Sequence, residues 1–225
     1  MIDPSAALAL LQYGDSAFPA GGFAFSWGLE GLAADGLLRT PADFEDALDD
    51  QLVHRWNMMD RLLLRRVFRA PTLAEIAAAD RDAEAATPSA PMREGSRRAG
   101  RALLGVAVRL GHRDCLRYRA GLDADPRLGH LPVMQGLVYR DAGFALEAAE
   151  LLSGWTLVAA LASAAVRLGI LGHVEAQHAM TRARGALRRL LAQVPAADSR
   201  LSSFTPLADI ALSRNPIRNA RMFAT

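Results

Sequence analysis

Apolar residues recur every three to four positions along most of the 225-residue chain, and no long stretch alternates apolar with polar residues. This spacing places apolar side chains on one face of successive α-helices, whereas strict alternation is typical of β-strands. The pattern therefore predicts an all-α fold. We expect a single-domain helical bundle spanning residues 1–225, with a flexible N-terminal arm at 1–28 and a C-terminal tail at 195–225.

Caps and prolines divide this pattern into separate helices. Thr40 and Pro41 form a cap followed by a first-turn proline, and Pro71 ends the long helix that they begin. Thr72 and Glu75 form a capping-box pattern for the next helix. The predicted helices cover residues 41–70, 72–86, 96–110, 132–143, 145–168 and 174–194, with a loop at 87–92 and a short turn at 206–212.

Residues 151–166 are almost continuously apolar and raise the question of a membrane span. The stretch is shorter than the roughly 20 residues that a spanning helix needs, and Arg167 ends it. Its alanine and serine residues allow neighbouring helices to approach closely. We therefore predict a buried central helix and no membrane association.

The basic residues change the picture further, because all 26 of them are arginine. Without lysine the chain has neither a Schiff-base nucleophile nor a phosphate-binding Gly-Lys-Ser/Thr loop. The formal net charge is only +2, with both signs interspersed, so nucleic acid is not the expected partner. A single cysteine, Cys115, cannot form an intramolecular disulfide, and no signal peptide opens the chain, which together indicate a cytoplasmic protein.

An aromatic, glycine-containing segment at residues 12–30 is the most unusual stretch of the sequence. Two alternatives account for it: an arm that packs on its own domain, or a preformed surface for a partner protein, where aromatic anchors are common. The C-terminal tail has a similar composition, since it mixes arginines with apolar residues in a way that suits folding onto a partner. The tail residues concerned are Arg218, Arg221, Met222 and Phe223.

No catalytic constellation is evident, but the acidic run from Asp43 to Asp50 offers one alternative. Asp46, Asp49 and Asp50 resemble the Mg²⁺-binding aspartates of all-α enzymes that act on diphosphates. Solvent-facing acids near a helix N-terminus are the other interpretation. A third class, a DNA-binding regulator, would use the arginine-rich helix at 182–189, although a surface helix with solvated arginines is the default interpretation.

The five histidines indicate no metal site and no cofactor. His173 and His178 are five residues apart and point to different faces of a helix. His112 and Cys115 could provide two ligands at most. His130, just before Pro132, is expected to be a helix cap or a packed imidazole.

Four motifs occur in an order that can be compared with a known family. They are Asp15-Ser-Ala-Phe-Pro19 with Gly21-Gly-Phe23, Ser26 and Gly28-Leu-Glu30; Arg98-Ala-Gly-Arg101-Ala-Leu-Leu104; His130-Leu-Pro132-Val-Met-Gln-Gly136; and Ser163-Ala-Ala-Val-Arg167-Leu-Gly-Ile-Leu-Gly172. Together they resemble the UreF family of urease accessory proteins from about Leu10 to the C-terminus. The tail departs from the family pattern: Ala224 replaces its last basic residue, and Asn215-Pro-Ile-Arg218 replaces its histidine-containing stretch.

The resemblance implies a non-catalytic helical chaperone that helps to insert nickel into apo-urease. It implies a homodimer that binds the accessory protein UreD, also called UreH, and recruits the GTPase UreG. The tail here offers no histidine for binding the nickel cation. The candidate partner-binding residues are Phe18, Pro19, Gly21, Gly22, Phe23, Ser26, Glu30, Arg98, Arg101, Arg218, Arg221, Met222 and Phe223.

Overall fold

The computed structural model describes residues 3–19, 26–122, 124–196 and 198–214, and helices account for most of them. The helices are α1 (Pro4–Gly14), α2 (Leu29–Ala34), α3 (Pro41–Asp50), a π-helical segment (Gln51–Asp60), α4 (Arg61–Arg69), α5 (Leu73–Ala86), α6 (Ala90–Arg109), α7 (Arg113–Leu122), α8 (Leu131–Asp141), α9 (Leu146–Arg167), α10 (His173–Leu191) and α11 (Pro206–Arg214). The prediction of an all-α fold is confirmed, and no strand occurs within the ranges described.

The predicted helix at 41–70 is continuous, but its middle differs from an ordinary α-helix. Thr40 accepts a hydrogen bond from the Asp43 backbone N–H and completes a capping box, so the helix begins where the sequence indicates. Residues Gln51–Asp60 then follow π-helical hydrogen bonding before α4 begins. Such segments are rare and shift the side chains that follow them around the helix axis.

Several boundaries were predicted wrongly. The loop expected at 87–92 is shorter, because α6 begins at Ala90 with a proline in its first turn. The short turn expected at 206–212 is a nine-residue helix, α11. Helix α7 was not predicted, and α1 lies within the stretch assigned to the N-terminal arm.

Helix α9 lies at the centre of the bundle and contacts α1, α2, α3, α4, α8, α10 and the π-helical segment. By length and composition alone it is the one helix within the described residues that could cross a membrane. Instead, 61% of its most apolar 18-residue stretch is buried inside the protein. Its role as a buried central helix agrees with the sequence-based prediction.

A buried charge cluster fixes α4 against α9. Glu150, almost fully buried, accepts hydrogen bonds from Arg61 Nε at 2.9 Å and Arg65 Nη1 at 2.7 Å. Arg61 also donates to the Leu190 carbonyl at 2.8 Å, which adds α10 to the same junction. Buried charges need such partners, because removing one of them leaves the others unpaired in a low-dielectric interior.

Candidate partner-binding face

Helices α2 and α11, which are separated by more than 170 residues of sequence, pack side by side. A Cβ atom placed on Gly31 would lie 2.9 Å from the Ala211 side chain, and one on Gly28 would lie 3.0 Å from Ala208. The absence of these side chains allows the two backbones to approach this closely. Arg214 at the end of α11 forms an ion pair with Asp35 at 3.6 Å. The two helices therefore run parallel, with Ser26 near one end of the pair and Arg214 at the other.

The segment that leads into α2 is held firmly against the π-helical segment. Trp27 has a positive φ of 53°, which is unusual for a residue with a large side chain, and Gly28 follows with a φ of 91°. The Arg55 guanidinium lies over the Trp27 ring at 4.9 Å, and Gln51 Nε2 donates to the Trp27 carbonyl at 3.5 Å. Ser26 is fully buried. Arg55 and Gln51, which lie about one helical turn apart, thus hold Trp27 in this strained backbone conformation.

Arg55 itself is buried and pairs with Asp60 at 3.6 Å. Burial raises the pKa of the Asp60 carboxyl above its usual value, although Arg55 opposes this shift. Burial also raises the pKa of the Asp209 carboxyl on α11, and the same arginine partly opposes this shift. Arg55 therefore acts electrostatically on both the π-helical segment and α11.

The outer surface of α11 combines apolar side chains with a nearby acidic wall. Leu207 and Ile210, one turn apart, are exposed, and Leu37 lies exposed after α2. Leu37 and Leu207 line a cleft of about 240 Å³. Its acidic residues are Asp43, Asp46 and Asp50. An apolar ridge beside carboxylates suits a partner that presents both apolar and basic groups.

In the described part of the N-terminal arm, Tyr13 and Phe18 pack on the chain itself. Phe18 stacks on Tyr13 with ring centroids 4.6 Å apart, and the Tyr13 hydroxyl lies 2.8 Å from His112 Nε2. Tyr139 and Phe144 contact the Tyr13 ring edge-on. The contacts of Phe18 are therefore those of the first alternative, an arm packed on its own domain. Pro19, by contrast, is exposed.

The two arginines singled out on α6 differ in their surroundings. Arg98 is exposed. Arg101 donates from Nε and Nη2 to the Leu128 carbonyl, at 3.0 and 2.9 Å, and from Nη2 to the Pro126 carbonyl at 2.9 Å. Its guanidinium thus holds the loop before α8, and of these two arginines only Arg98 is exposed.

A polar network beneath that loop centres on Asp80 of α5. The fully buried Asp80 carboxylate accepts hydrogen bonds from the Gly129 N–H at 2.6 Å, the His130 N–H at 2.9 Å and the Tyr118 hydroxyl at 2.8 Å. Burial raises the pKa of Asp80, although these three hydrogen bonds oppose the shift. The network ties α5 and α7 to the start of α8.

His130 extends this network to Glu84. His130 Nε2 donates to Glu84 Oε2 at 2.8 Å, and Arg93 and Arg97 pair with the same carboxylate. Burial lowers the pKa of the His130 imidazole, and this outweighs the opposing effect of the nearby acids. Burial alone would raise the pKa of Glu84, but hydrogen bonds from Arg97 and His130 reverse the shift and lower it. His130 is therefore a packed imidazole, one of the two roles expected from the sequence.

The chain is similar in sequence to known proteins of one family. The family model described as UreF matches residues 38–184. A urease accessory protein UreF from Trichodesmium erythraeum is 32% identical over 230 residues, covering 99% of this chain and 98% of that protein. One from Paracoccus denitrificans is 34% identical over 224 residues, covering 99% of this chain and 98% of that protein. The chain belongs to the UreF family.

Two of the UreF-family motifs meet at the contact between α6 and α8. A methyl group on Gly100 would overlap the Gly129 carbonyl oxygen and lie 2.8 Å from the His130 carbonyl carbon. Ser96 Oγ accepts a hydrogen bond from the Leu131 N–H at 3.1 Å, which satisfies the first turn of α8. Gly100, His130 and Leu131, which belong to these motifs, therefore take part in helix packing in this UreF protein.

Part of the predicted site of this UreF protein lies outside the described residues. Ser26 and Glu30 are described, and both are buried at the start of α2. The predicted residues outside the described ranges are Gly21, Gly22, Phe23, Arg218, Arg221, Met222 and Phe223. The partner-binding roles of these residues stay predictions. Their segments join the fold at Ser26 and Arg214, at opposite ends of the α2–α11 pair.

The alternative metal site in the acidic run has no supporting geometry. Asp46, Asp49 and Asp50 are exposed on α3, and Asp49 faces a second cleft shared with Arg182 and Arg189 of α10. Within the described residues no group of three or more histidine, cysteine or carboxylate side chains is arranged to hold a metal ion. The acids of this helix instead line surface clefts on either side of it.

Three features of this face of the UreF fold were not predicted from the sequence: the contacts of Arg55, those of Gln51, and the exposed apolar pair on α11. Arg55 and Gln51 were not singled out, because a polar residue within an apolar helix gives no sign of which neighbour it will contact. The exposed apolar pair on α11 was overlooked because its segment was predicted as a turn. The spacing of Leu207 and Ile210 just after Pro206 is the signal that could have indicated a helix with an outward apolar face.

Proposed function

We propose that this protein is a non-catalytic scaffold for urease maturation in the cytoplasm. In this role it bridges the accessory protein UreD (UreH) and the GTPase UreG, so that nickel is delivered to apo-urease. It acts as a homodimer, requires no cofactor of its own, and binds neither nucleic acid nor membrane. Membership of the UreF family, whose curated relatives are named urease accessory proteins, supports this assignment.

The observation that carries the proposal is the close packing of α2 on α11. The arm segment before Ser26 and the tail after Arg214 join opposite ends of this pair, roughly 12 Å apart for a nine-residue helix. Both segments carry the aromatic, apolar and arginine residues that favour a protein interface. Between them lie the exposed Leu207 and Ile210. We assign the α2–α11 surface, with the two segments that join it, to UreD and the remaining helical body to UreG.

A charge substitution on α11 tests this assignment. The double variant Leu207→Asp/Ile210→Asp places two carboxylates in the proposed interface and beside the acidic cleft, so co-purification with UreD should fall at least about tenfold. Leu110→Asp/Leu116→Asp is the matched control, because Leu116 and Leu207 are each 59% exposed, and the control residues lie on α7 and directly after α6. The control should retain UreD.

Removal of residues 215–225 provides the second arm of the experiment. Ending the chain after Arg214 leaves the Arg214–Asp35 ion pair intact, so α11 should remain folded. We expect this truncation to weaken UreD binding, whereas Arg119→Ala, at an exposed arginine of α7, should not. Unchanged UreD binding by both the truncated protein and the α11 variant would show that UreD binds elsewhere.

A further inference from the structure

A cleft of about 380 Å³ lies between α4, α5 and the segment that joins α10 to α11. Its volume falls within the range of sites that bind small molecules. Among the described residues, none from α2 or α11 lines it, so it is separate from the surface assigned to UreD. Leu62, Pro195 and several alanines make part of the lining apolar. A basic wall is formed by three arginines of α4: Arg65, Arg66 and Arg69.

Arg65 brings an incompletely balanced charge to this cleft from the interior. Its side chain is only 10% exposed and donates from Nη1 to Glu150 Oε1 at 2.7 Å. Arg61 Nε donates to the same oxygen at 2.9 Å, so two guanidiniums share one buried carboxylate. Within the described residues Arg65 makes no other hydrogen bond, which leaves its remaining N–H groups available to a ligand. A surplus charge in a buried cluster is costly, and an anion that reaches Arg65 through the cleft reduces this cost.

The other two arginines of the wall differ in how much of their charge is already paired. Arg69 lies one turn after Arg65 on the same face of α4, and it is exposed. In the part of the chain that the structure describes, Arg69 forms no ion pair. Arg66 pairs with Asp82 of α5 at 3.1 Å and donates to the Ser199 carbonyl at 3.4 Å. Arg65 and Arg69 are therefore the groups that can bind an anion without first losing a partner.

The acids around the cleft limit the charge of a suitable ligand. Asp82 is balanced by Arg66, and Glu75, in the first turn of α5, adds one negative charge to the lining. When Glu150 and Arg61 behind the basic wall are included, three acids accompany four arginines. The local surplus is thus one positive charge. A monocarboxylate balances this surplus, whereas a phosphate dianion leaves excess negative charge.

From this charge balance and the apolar lining we propose that the cleft binds a small organic monocarboxylate. The carboxylate contacts the guanidiniums of Arg65 and Arg69, whose planar N–H groups match its two oxygens. The apolar part of the ligand packs against the alanine, leucine and proline side chains. Such a ligand joins α4 to the segment around Pro195 and Ser199, which leads to α11. This site goes beyond the proposed scaffold function and does not depend on it.

Titration of the full-length protein with benzoate, followed by ligand-observed NMR, tests the proposal. Benzoate joins one carboxylate to an apolar ring, and it should bind saturably with a Kd of about 1 mM or tighter. Acetate has the same carboxylate but little apolar surface, so it should bind at least about tenfold more weakly at the same ionic strength. Inorganic phosphate should bind more weakly than benzoate.

Each of these ligands can contradict a different part of the proposal. If benzoate shows no saturable binding, the cleft is not a carboxylate site. Equal affinities for benzoate and acetate would overturn the contribution of the apolar lining. Tighter binding of inorganic phosphate would overturn the charge balance from which a monocarboxylate was inferred.

Removal of one arginine locates the binding site. Arg69→Ala should weaken benzoate binding at least about tenfold, because a charge-assisted hydrogen bond to the carboxylate is lost. Arg81→Ala is the matched control, since Arg81 is an exposed arginine of α5 that does not line the cleft. The control should retain the wild-type affinity, and circular dichroism should show that both variants are folded. Equal losses in the two variants would indicate an adventitious ion only, attracted by a basic protein, and would overturn the proposal.

Removal of one acid should change the affinity in the opposite direction. Asp82→Asn takes a negative charge from the cleft and releases Arg66 for the ligand, so benzoate should bind at least about threefold more tightly. Asp49→Asn removes the same charge from an exposed position on α3 outside the cleft and should leave the affinity unchanged. Unchanged or weaker binding by Asp82→Asn would show that the arginines of α4 do not hold the carboxylate.

Discussion

Individual polar residues in this protein act mainly by joining helices that are distant in sequence. Asp80 holds the loop before α8, Arg101 fixes the carbonyl groups of that loop, and His130 connects it to Glu84. Each satisfies backbone or side-chain groups that would otherwise be buried without a partner, and such groups are costly to leave unpaired.

His130 should make stability depend on pH. Burial lowers its pKa below the 6.5 of an unperturbed imidazole, so the unfolded chain binds more protons than the folded protein between these two values. The free energy of unfolding therefore falls as the pH is lowered from neutrality through 6.5 toward the lower pKa of the folded protein. His130→Gln should cost about 1–3 kcal/mol at neutral pH, and this deficit should shrink as the wild-type protein loses stability in acid. Urea denaturation at several pH values measures both effects.

Glu84 supplies the internal comparison for that experiment. Its pKa is lowered, so its stabilising contribution is complete above about 4.5 and is lost as the pH falls through its folded value. The Glu84 carboxylate is still present in His130→Gln. Below about pH 4.5, both the wild-type protein and the variant should therefore lose the stability that Glu84 contributes. A constant difference between wild type and variant across the whole pH range would contradict the assignment to His130.

At the scale of elements, close approach of backbones is the main device that orients the helices. Gly31 allows α2 to reach α11, Gly100 allows α6 to reach the start of α8, and Gly136 allows α8 to reach α4, where a Cβ atom would lie 2.9 Å from Val67. Gly100 and Gly136 lie within segments that resemble the family motifs, and Gly31 directly follows one. These positions do not need glycine for a left-handed backbone, since the glycines on α2, α6 and α8 have ordinary helical backbones.

Two glycines on α6 provide a matched test of this packing. Gly100→Ala should destabilise the protein by about 1–3 kcal/mol, because the new methyl group must displace the Gly129 carbonyl. Gly105→Ala, where nothing lies within 4 Å, should be neutral or stabilising by up to about 1 kcal/mol through improved helix propensity. Urea unfolding midpoints measure both. Equal effects of the two substitutions would show that α6 does not depend on close contact at Gly100.

The sequence predicts those elements whose signals are local. The start of α5 was predicted correctly because Thr72 and Glu75 form their cap within one turn. The start of α7 was missed because its cap comes from Asp141, which accepts hydrogen bonds from the Asp114 and Cys115 N–H groups across more than 25 residues. The α2–α11 face depends on the same kind of long-range contact, so its composition was visible in the sequence but its assembly was not.

At the scale of the whole molecule, the described helices share a core around α9. Cys115 lies within this core and is fully buried. Burial, reinforced by Asp141, raises the pKa of its thiol, so the reactive thiolate is suppressed in the folded state. Since this is the chain's one cysteine, its accessibility reports on opening of the core.

Thiol labelling should therefore be slow in the native protein and fast once the chain unfolds. Increasing urea should accelerate modification of Cys115 in parallel with the loss of helical circular dichroism. Leu116→Cys in a Cys115→Ala background is the control, because Leu116 is its exposed neighbour and should react without unfolding. Rapid labelling of Cys115 under native conditions would indicate that α7 opens independently of the remaining helices.

The pairing of α2 with α11 also sets the order in which the protein can mature on the ribosome. Helix α2 emerges early, but the helix it packs against follows every other described helix in the chain. Gly31 and its neighbours therefore lack their packing surface until translation has passed Arg214. A nascent or prematurely terminated chain can form much of the bundle without displaying the assembled α2–α11 surface, so this surface marks a chain whose synthesis has passed α11.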